Sequence, residues 1–293
     1  MRLQTHRQST FLRWQSQKFE LVFSRLFIHT VNSLTPLSLQ ARKRFGQHFL
    51  HDQEIIQRII DRFHPDNNEK IIEIGPGRGA LTEALLQRIG QLHAVEIDRD
   101  LIMYLSNRFS PAQLVLHQAD VLNFSFASLV DNGEKLRLIG NLPYNISTPL
   151  LFHLLEYSSS ISDMFFMLQK EVVTRLVAQP GGKDYGRLTV MMACRCDIEH
   201  ILDVPPESFT PPPKVDSSVI KIIPHAEVKY PGCETPRFAE LVKGAFGQRR
   251  KTLRNSLKDF VDDELFAKIG IDSSRRPEQL TIEEFVMLAE SIG

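Results

Sequence analysis

No apolar run in the chain reaches the roughly 18 residues that a membrane-spanning helix needs, so no such helix is expected. Cysteine is scarce. Cys194, Cys196 and Cys233 form no disulfide framework and fit a reducing compartment. Cys194 and Cys196 could be half of a metal site, but no second cysteine or histidine pair with zinc spacing completes four ligands, so no metal is expected. Net charge is also missing, because 35 basic residues balance 35 acidic ones. Any nucleic-acid footprint must therefore be local. The chain has no internal repeat and no low-complexity segment. What is present is 293 residues, 42% of them apolar, enough for a proper core in one large domain or two.

Acids are scarce in residues 1–40, where Arg2, Arg7, Arg13, Lys18 and Arg25 face a single Glu20. This stretch reads as a poorly ordered basic extension or as the product of a start codon placed too far upstream. An Arg- and Ser-bearing leader also resembles an organelle transit peptide, which makes mitochondrial the alternative to a cytoplasmic location.

From residue 41 the chain alternates strands and helices. Ile55, Ile56, Ile59, Ile60 and Phe63 mark a helix that Pro65 ends. Strands follow at Lys70–Ile74, Leu92–Ile97, Gln113–His117 and Leu136–Gly140, with helical patterns at Ala80–Ile89 and Arg99–Phe109 between them. Later strands are read at Met164–Leu168, Cys196–Val204 and Val219–Ile223. This order predicts a doubly wound α/β sheet with mostly parallel strands. The last two strands are joined without a helix, so one strand should run antiparallel. Turn residues between Pro224 and Pro236 mark a boundary. Beyond it lies a small helical domain, residues 224–293, with helices at Phe238–Phe260, Asp263–Ile269 and Ile282–Ile292. Such a segment is too short to bury much alone and should pack on the sheet domain, residues 41–223.

Three strand ends carry chemistry. Gly75-x-Gly77-x-Gly79 closes the first strand and lets backbone approach a ligand closely. Glu96 ends the second, where an acid can bind both ribose hydroxyls. Asp120 lies just past the third, where it could accept from an adenine amino group. Either acid alone could be a solvated strand end, but the three together describe an adenosine-shaped crevice. The glycine spacing departs from Gly-x-Gly-x-x-Gly, and Glu73 precedes the turn. Both are poor matches for a pyrophosphate and suit a cationic sulfonium such as S-adenosylmethionine (AdoMet) better.

Asn141-Leu142-Pro143-Tyr144 follows the fourth strand. The Asn141 side-chain oxygen and a backbone carbonyl near Leu142 or Pro143 can accept the two hydrogens of an adenine N6 amine. That draws the nitrogen toward tetrahedral geometry and frees its lone pair for attack on a methyl group. Tyr144 offers a stacking face, and Phe209, on a loop stiffened by Pro211–Pro213, a second. No side-chain base is needed, and the Tyr144 hydroxyl is given no role. On these four residues alone an Asx-type turn would serve as well. Their position after the fourth strand favours chemistry.

Two basic clusters remain. One holds Arg42 and Lys43. The other holds Arg249, Arg250, Lys251 and Arg254, and on one helix Arg250, Arg254 and Lys258 would share a face. A solvated face is one explanation. No alternating acids neutralise the run, so phosphate contact is favoured.

The stretches Arg42–Leu50, Glu73–Gly79, Asn141–Leu150, Gln169–Val173, Tyr185–Leu188, Phe209–Ser217 and Gln248–Leu257 together resemble the ribosomal RNA adenine N6,N6-dimethyltransferase family, most closely its bacterial KsgA-type, small-subunit branch. The resemblance covers about residues 41–293 and implies a class I methyltransferase sheet with a helical C-terminal rRNA-recognition domain. It implies AdoMet bound by His48, Leu50, Gly75, Gly77, Glu96, Asp120, Val121 and Asn141, with S-adenosylhomocysteine as product. It implies dimethylation of two adjacent adenines in a hairpin near the 3′ end of 16S rRNA, in the immature 30S subunit, by a cytoplasmic monomer. His48 stands where many members have Asn, and it can still donate one hydrogen bond. Residues 1–40 have no counterpart. The rivals are the 23S rRNA dimethyltransferase of macrolide resistance and a non-catalytic nucleic-acid-binding factor on the same fold. A nicotinamide-dependent oxidoreductase is disfavoured by the glycine spacing.

Overall fold

The computed structural model describes residues 42, 46–130, 133–227, 229–248 and 250–292. The expectations for residues 1–40, Lys43 and Arg249 lie outside these. Nine strands are described: β1 Phe49–Leu50, β2 Lys70–Ile74, β3 Leu92–Glu96, β4 Leu114–Gln118, β5 Leu136–Asn141, β6 Ile161–Gln169, β7 Cys196–Val204, β8 Phe209–Thr210 and β9 Ser217–Pro224. Helices α1 (Gln53–Phe63), α2 (Ala80–Leu86), α3 (Arg99–Arg108), α4 (Ser147–Leu155), α5 (Lys170–Leu176) and α6 (Arg187–Ala193) accompany the sheet. Helices α7 (Pro236–Phe246), α8 (Leu253–Ser256), α9 (Asp263–Ile269) and α10 (Ile282–Ser291) follow.

Seven strands form one sheet in the order β4-β3-β2-β5-β6-β9-β7. β9 pairs antiparallel with both β6 and β7, and the other pairings are parallel. Doubly wound order follows from the apolar strands, which must be covered on both faces. One face packs on α1, α2 and α3 through Ile56, Ile60, Leu81, Leu85 and Leu105. The other packs on α4, α5 and α6 through Leu150, Leu154, Val173, Leu188 and Met192. After β4 the chain returns to place β5 beside β2, so the strand order reverses between them. Crevices outside the carboxyl ends of strands at such a switch point are where open α/β sheets bind ligands.

At the opposite end of β5, Arg137 is 8% exposed and inserts among charges and carbonyls. Its guanidinium pairs with Asp163 at 2.7 Å and Glu69 at 2.6 Å, and donates to the carbonyls of Phe63 and His64. It thereby ties the end of α1 to the sheet.

The helical segment departs from expectation in one place. A continuous helix over Phe238–Phe260 is not formed. α7 stops at Phe246, Gly247, Gln248 and Arg250 lie in turns, and Thr252 precedes the short α8. Arg250, Arg254 and Lys258 therefore share no helix face. A second core of Tyr185, Val190, Met191, Phe238, Leu241 and Phe285 joins α6 to this segment. Within it Cys194 and Cys233 are paired as a disulfide, contrary to the expectation of free thiols, while Cys196 is free and buried. Spacing could not show that the end of α6 meets the turn before α7. No helix among the described residues is long and apolar enough to cross a membrane.

Candidate active site

The expected strand ends converge at the switch point. Gly75, Gly77 and Gly79 all have positive φ, between 56° and 82°, which is why glycine stands at each. The Gly75 N–H donates to the Val95 carbonyl at 3.0 Å, holding this loop against β3. On β5 a Cβ at Gly140 would run into the Ile74 carbonyl oxygen, so glycine is what lets β5 close on β2 just before Asn141.

Two cavities meet at Gly75 and Pro143. The first, about 210 Å³, is lined by Glu96, Ile97, Asp120, Val121, Asn145 and Ile146. Glu96 is buried, and one carboxylate oxygen accepts from Ile97 N–H at 2.8 Å and Asp98 N–H at 2.9 Å. Burial raises its pKa, and the amide hydrogen bonds offset only part of that. Asp120 accepts from the Leu122 N–H at 3.0 Å and the Asn123 side chain at 3.2 Å. Ile97 is 45% exposed, an apolar wall beside the two acids. The second cavity, about 60 Å³, is lined by His48, Leu50, Glu73, Gly77, Asn141 and Tyr144, among others. Glu73 is fully buried and accepts from Thr82 Oγ1 at 2.6 Å; burial, reinforced by the Glu96 charge, pushes its pKa up to about 7.

Asn141 is oriented by the chain itself. Its Nδ2 donates to the His48 carbonyl at 2.8 Å, which fixes the amide and leaves Oδ1 as its acceptor. Leu142 is 1% exposed and its N–H donates to the Met167 carbonyl. The Pro143 carbonyl accepts from Ile146 N–H at 3.1 Å. Tyr144 is half-buried, its ring stacked on His48 with centroids 5.5 Å apart and planes 26° apart. His48 Nδ1 is 2.7 Å from the Pro211 carbonyl.

Several expected roles change. Phe209 is 2% exposed, because pairing with Leu50 in the β1–β8 ribbon turns its ring into the core while Thr210 faces out. It offers no free stacking face, and the ring beside Tyr144 is His48. Arg42 pairs with Asp98 at 2.9 Å and with Asp100. Those acids begin α3, where carboxylates suit the helix dipole, so this arginine is spent on the fold rather than presented to phosphate. Arg254 pairs with Asp263 at 2.8 Å, so the second cluster is partly neutralised after all. Arg250 and Lys251 are exposed. Ser217, which received no role from the sequence, is hydrogen-bonded to the Tyr144 hydroxyl at 2.7 Å. The stretch Phe209–Ser217 was the signal available for it. Among the described residues no group of three or more His, Cys, Asp or Glu is placed to hold a metal ion.

A family model described as ribosomal RNA adenine dimethylase matches residues 38–293. Ribosomal RNA small subunit methyltransferase A of Laribacter hongkongensis is 55% identical over 252 residues, 86% of this chain and 96% of the relative. The protein of that name from Pseudomonas aeruginosa is 51% identical over 255 residues, 87% of this chain and 95% of the relative. Among solved structures, a dimethyladenosine transferase from Plasmodium falciparum shares the fold with a TM-score of 0.70 at 24% identity, covering 82% of this chain and 96% of that one. The 23S rRNA methyltransferase ErmE gives a TM-score of 0.63 at 26% identity, covering 83% and 99%. With the Asn141–Tyr144 turn, the glycine loop and both strand-end acids in place, the chain belongs to the ribosomal RNA adenine dimethylase family.

Proposed function

We propose that this methyltransferase uses AdoMet to dimethylate N6 of two adjacent adenines in a hairpin near the 3′ end of 16S rRNA, within the immature 30S subunit in the cytoplasm. The crevice fits that cofactor. The larger cavity pairs buried Glu96 with Asp120 and apolar Ile97, a set suited to ribose hydroxyls and an adenine ring. The smaller one has carboxyl-bearing Glu73 at its back and suits a cation better than a phosphate. Bound there, AdoMet supplies a methyl group on a sulfonium centre.

The observation that carries the reading is the Asn141 amide, whose nitrogen is locked by the His48 carbonyl in the cavity that Tyr144 also lines. An adenine stacked on Tyr144 would give one N6 hydrogen to Asn141 Oδ1. The Pro143 carbonyl is engaged by Ile146, which favours the Leu142 carbonyl as acceptor for the other. The catalytic effect is preorganised hydrogen bonding that strengthens as the nitrogen becomes tetrahedral. The small-subunit target is supported by relatives of that name at 55% and 51% identity, against 26% for ErmE. The test is methyl transfer to 30S subunits that lack the modification. Asn141→Ala should lower the single-turnover rate by roughly 10²-fold with rRNA binding unchanged. A near-normal rate, or methylation of 23S rRNA instead, would overturn the reading.

A further inference from the structure

Tyr144 sits in the turn between β5 and α4, and a ring on a turn is free to rotate unless something holds it. Two groups hold this one. His48 stacks on it, and the hydroxyl is hydrogen-bonded to Ser217 Oγ at 2.7 Å. Ser217 has no exposed surface and opens β9, where it lies opposite Gln169 of β6 and Val204 of β7. A strand paired on both sides is among the least mobile parts of a fold. The stacking ring is thus mounted on the antiparallel strand of the sheet, not on the turn that carries its backbone.

This mount bears unequally on the two methyl transfers of the proposed reaction, on which the inference rests. In the first, N6 bonds to the methyl carbon, the carbon–sulfur bond breaks with its electron pair going to sulfur, and one N6 proton leaves to water. Before that transfer the base is held by two hydrogens on two acceptors, Asn141 Oδ1 and a turn carbonyl. N6-methyladenine keeps one hydrogen. One grip is gone before the second transfer, and orientation of the base falls more heavily on the stack with Tyr144. We infer that Ser217 is a positioning residue for the target base, and that its hydroxyl matters more to the second methyl transfer than to the first.

Ser217→Ala and Tyr144→Phe remove the same hydrogen bond from its two ends, one in the core and one in the turn. Time courses on unmodified 30S subunits, with nucleosides separated by mass, give both transfer rates. Each single variant should slow the second transfer about tenfold, the size of one buried hydrogen bond, and the first about threefold or less. Monomethyladenosine, transient with the unaltered protein, should accumulate. The double variant should be no worse than either single one, since the same bond is lost. Equal slowing of both transfers, no slowing, or losses that multiply in the double variant would overturn the inference and leave Ser217 a packing residue. Failure of the unaltered protein to methylate 30S subunits would instead overturn the functional reading beneath it.

Discussion

Glu73→Gln isolates the cost of keeping an ionisable group behind the glycine loop. Glu73 is 1% exposed, it accepts from the Thr82 hydroxyl, and its pKa rises from 4.5 to about 7. Burial is the main cause, and the Glu96 charge adds to it against the Thr82 hydrogen bonds. The sign is fixed by linkage. Below pH 4.5 the carboxyl is protonated in folded and unfolded chains alike and nothing is lost. Between 4.5 and about 7 the unfolded chain gives up its proton while the folded one keeps it, so stability falls as pH rises. Above about 7 both are ionised and the loss levels off. A shift of this size corresponds to roughly 3 kcal/mol. Glutamine mimics the protonated acid at every pH. Its advantage should grow from under about 1 kcal/mol near pH 5 to roughly 3 kcal/mol near pH 8. Urea titrations of both proteins across that range measure the difference directly. A fixed offset from any new packing is independent of pH and drops out of the slope. A difference that stays flat from pH 5 to pH 8 would refute the argument and mean that Glu73 is solvated or compensated in the folded protein.

Glu96→Ala should weaken AdoMet binding by about 2–3 kcal/mol in calorimetric titration, because the ribose hydroxyls lose a charged acceptor. In the basic run, Arg250→Ala should flatten the salt dependence of 30S binding by about one unit of log–log slope. Arg254→Ala should change it by less, since Asp263 already holds that guanidinium. Arg137→Met should destabilise the protein by about 3–5 kcal/mol in urea, because Asp163 is left buried with Lys221 3.8 Å away as its remaining cation.

The crevice could be read from the sequence because every element of it sits at the end of a strand. Strand ends are marked by local signals, an apolar run that stops at glycine or an acid. Gly75, Glu96, Asp120 and Asn141 each announce themselves in this way, and an antiparallel strand among the last two was implied by the missing helix between them, though not which of the two it is. What holds these groups in place leaves no such trace. Asn141 meets His48 from 93 residues away, Tyr144 meets Ser217 from 73, and Arg42 meets Asp98 from 56. Contacts at that range depend on sheet order and loop path, which no periodicity encodes. Gly140 is a milder case, hidden inside an apolar strand until β2 lies against it. Phe209 and Arg254 differ from expectation for another reason. Both were judged by residue type, and their availability was decided by strand alternation and by an acid from α9.

The short helix α6 belongs to two interiors at once. Leu188 and Met192 belong to the sheet's core, while Val190 and Met191 belong to the core of the following helices, where α6 packs on α7. A helix of 7 residues has little tendency to form alone, so it exists because both sides close on it. The segment after Pro224 therefore lacks one wall of its own interior, and the sheet lacks a cover strip without α6. A cut at that boundary would strand apolar surface on both pieces, and loosening one interior loosens the other. The two parts should melt together as one cooperative body rather than in sequence.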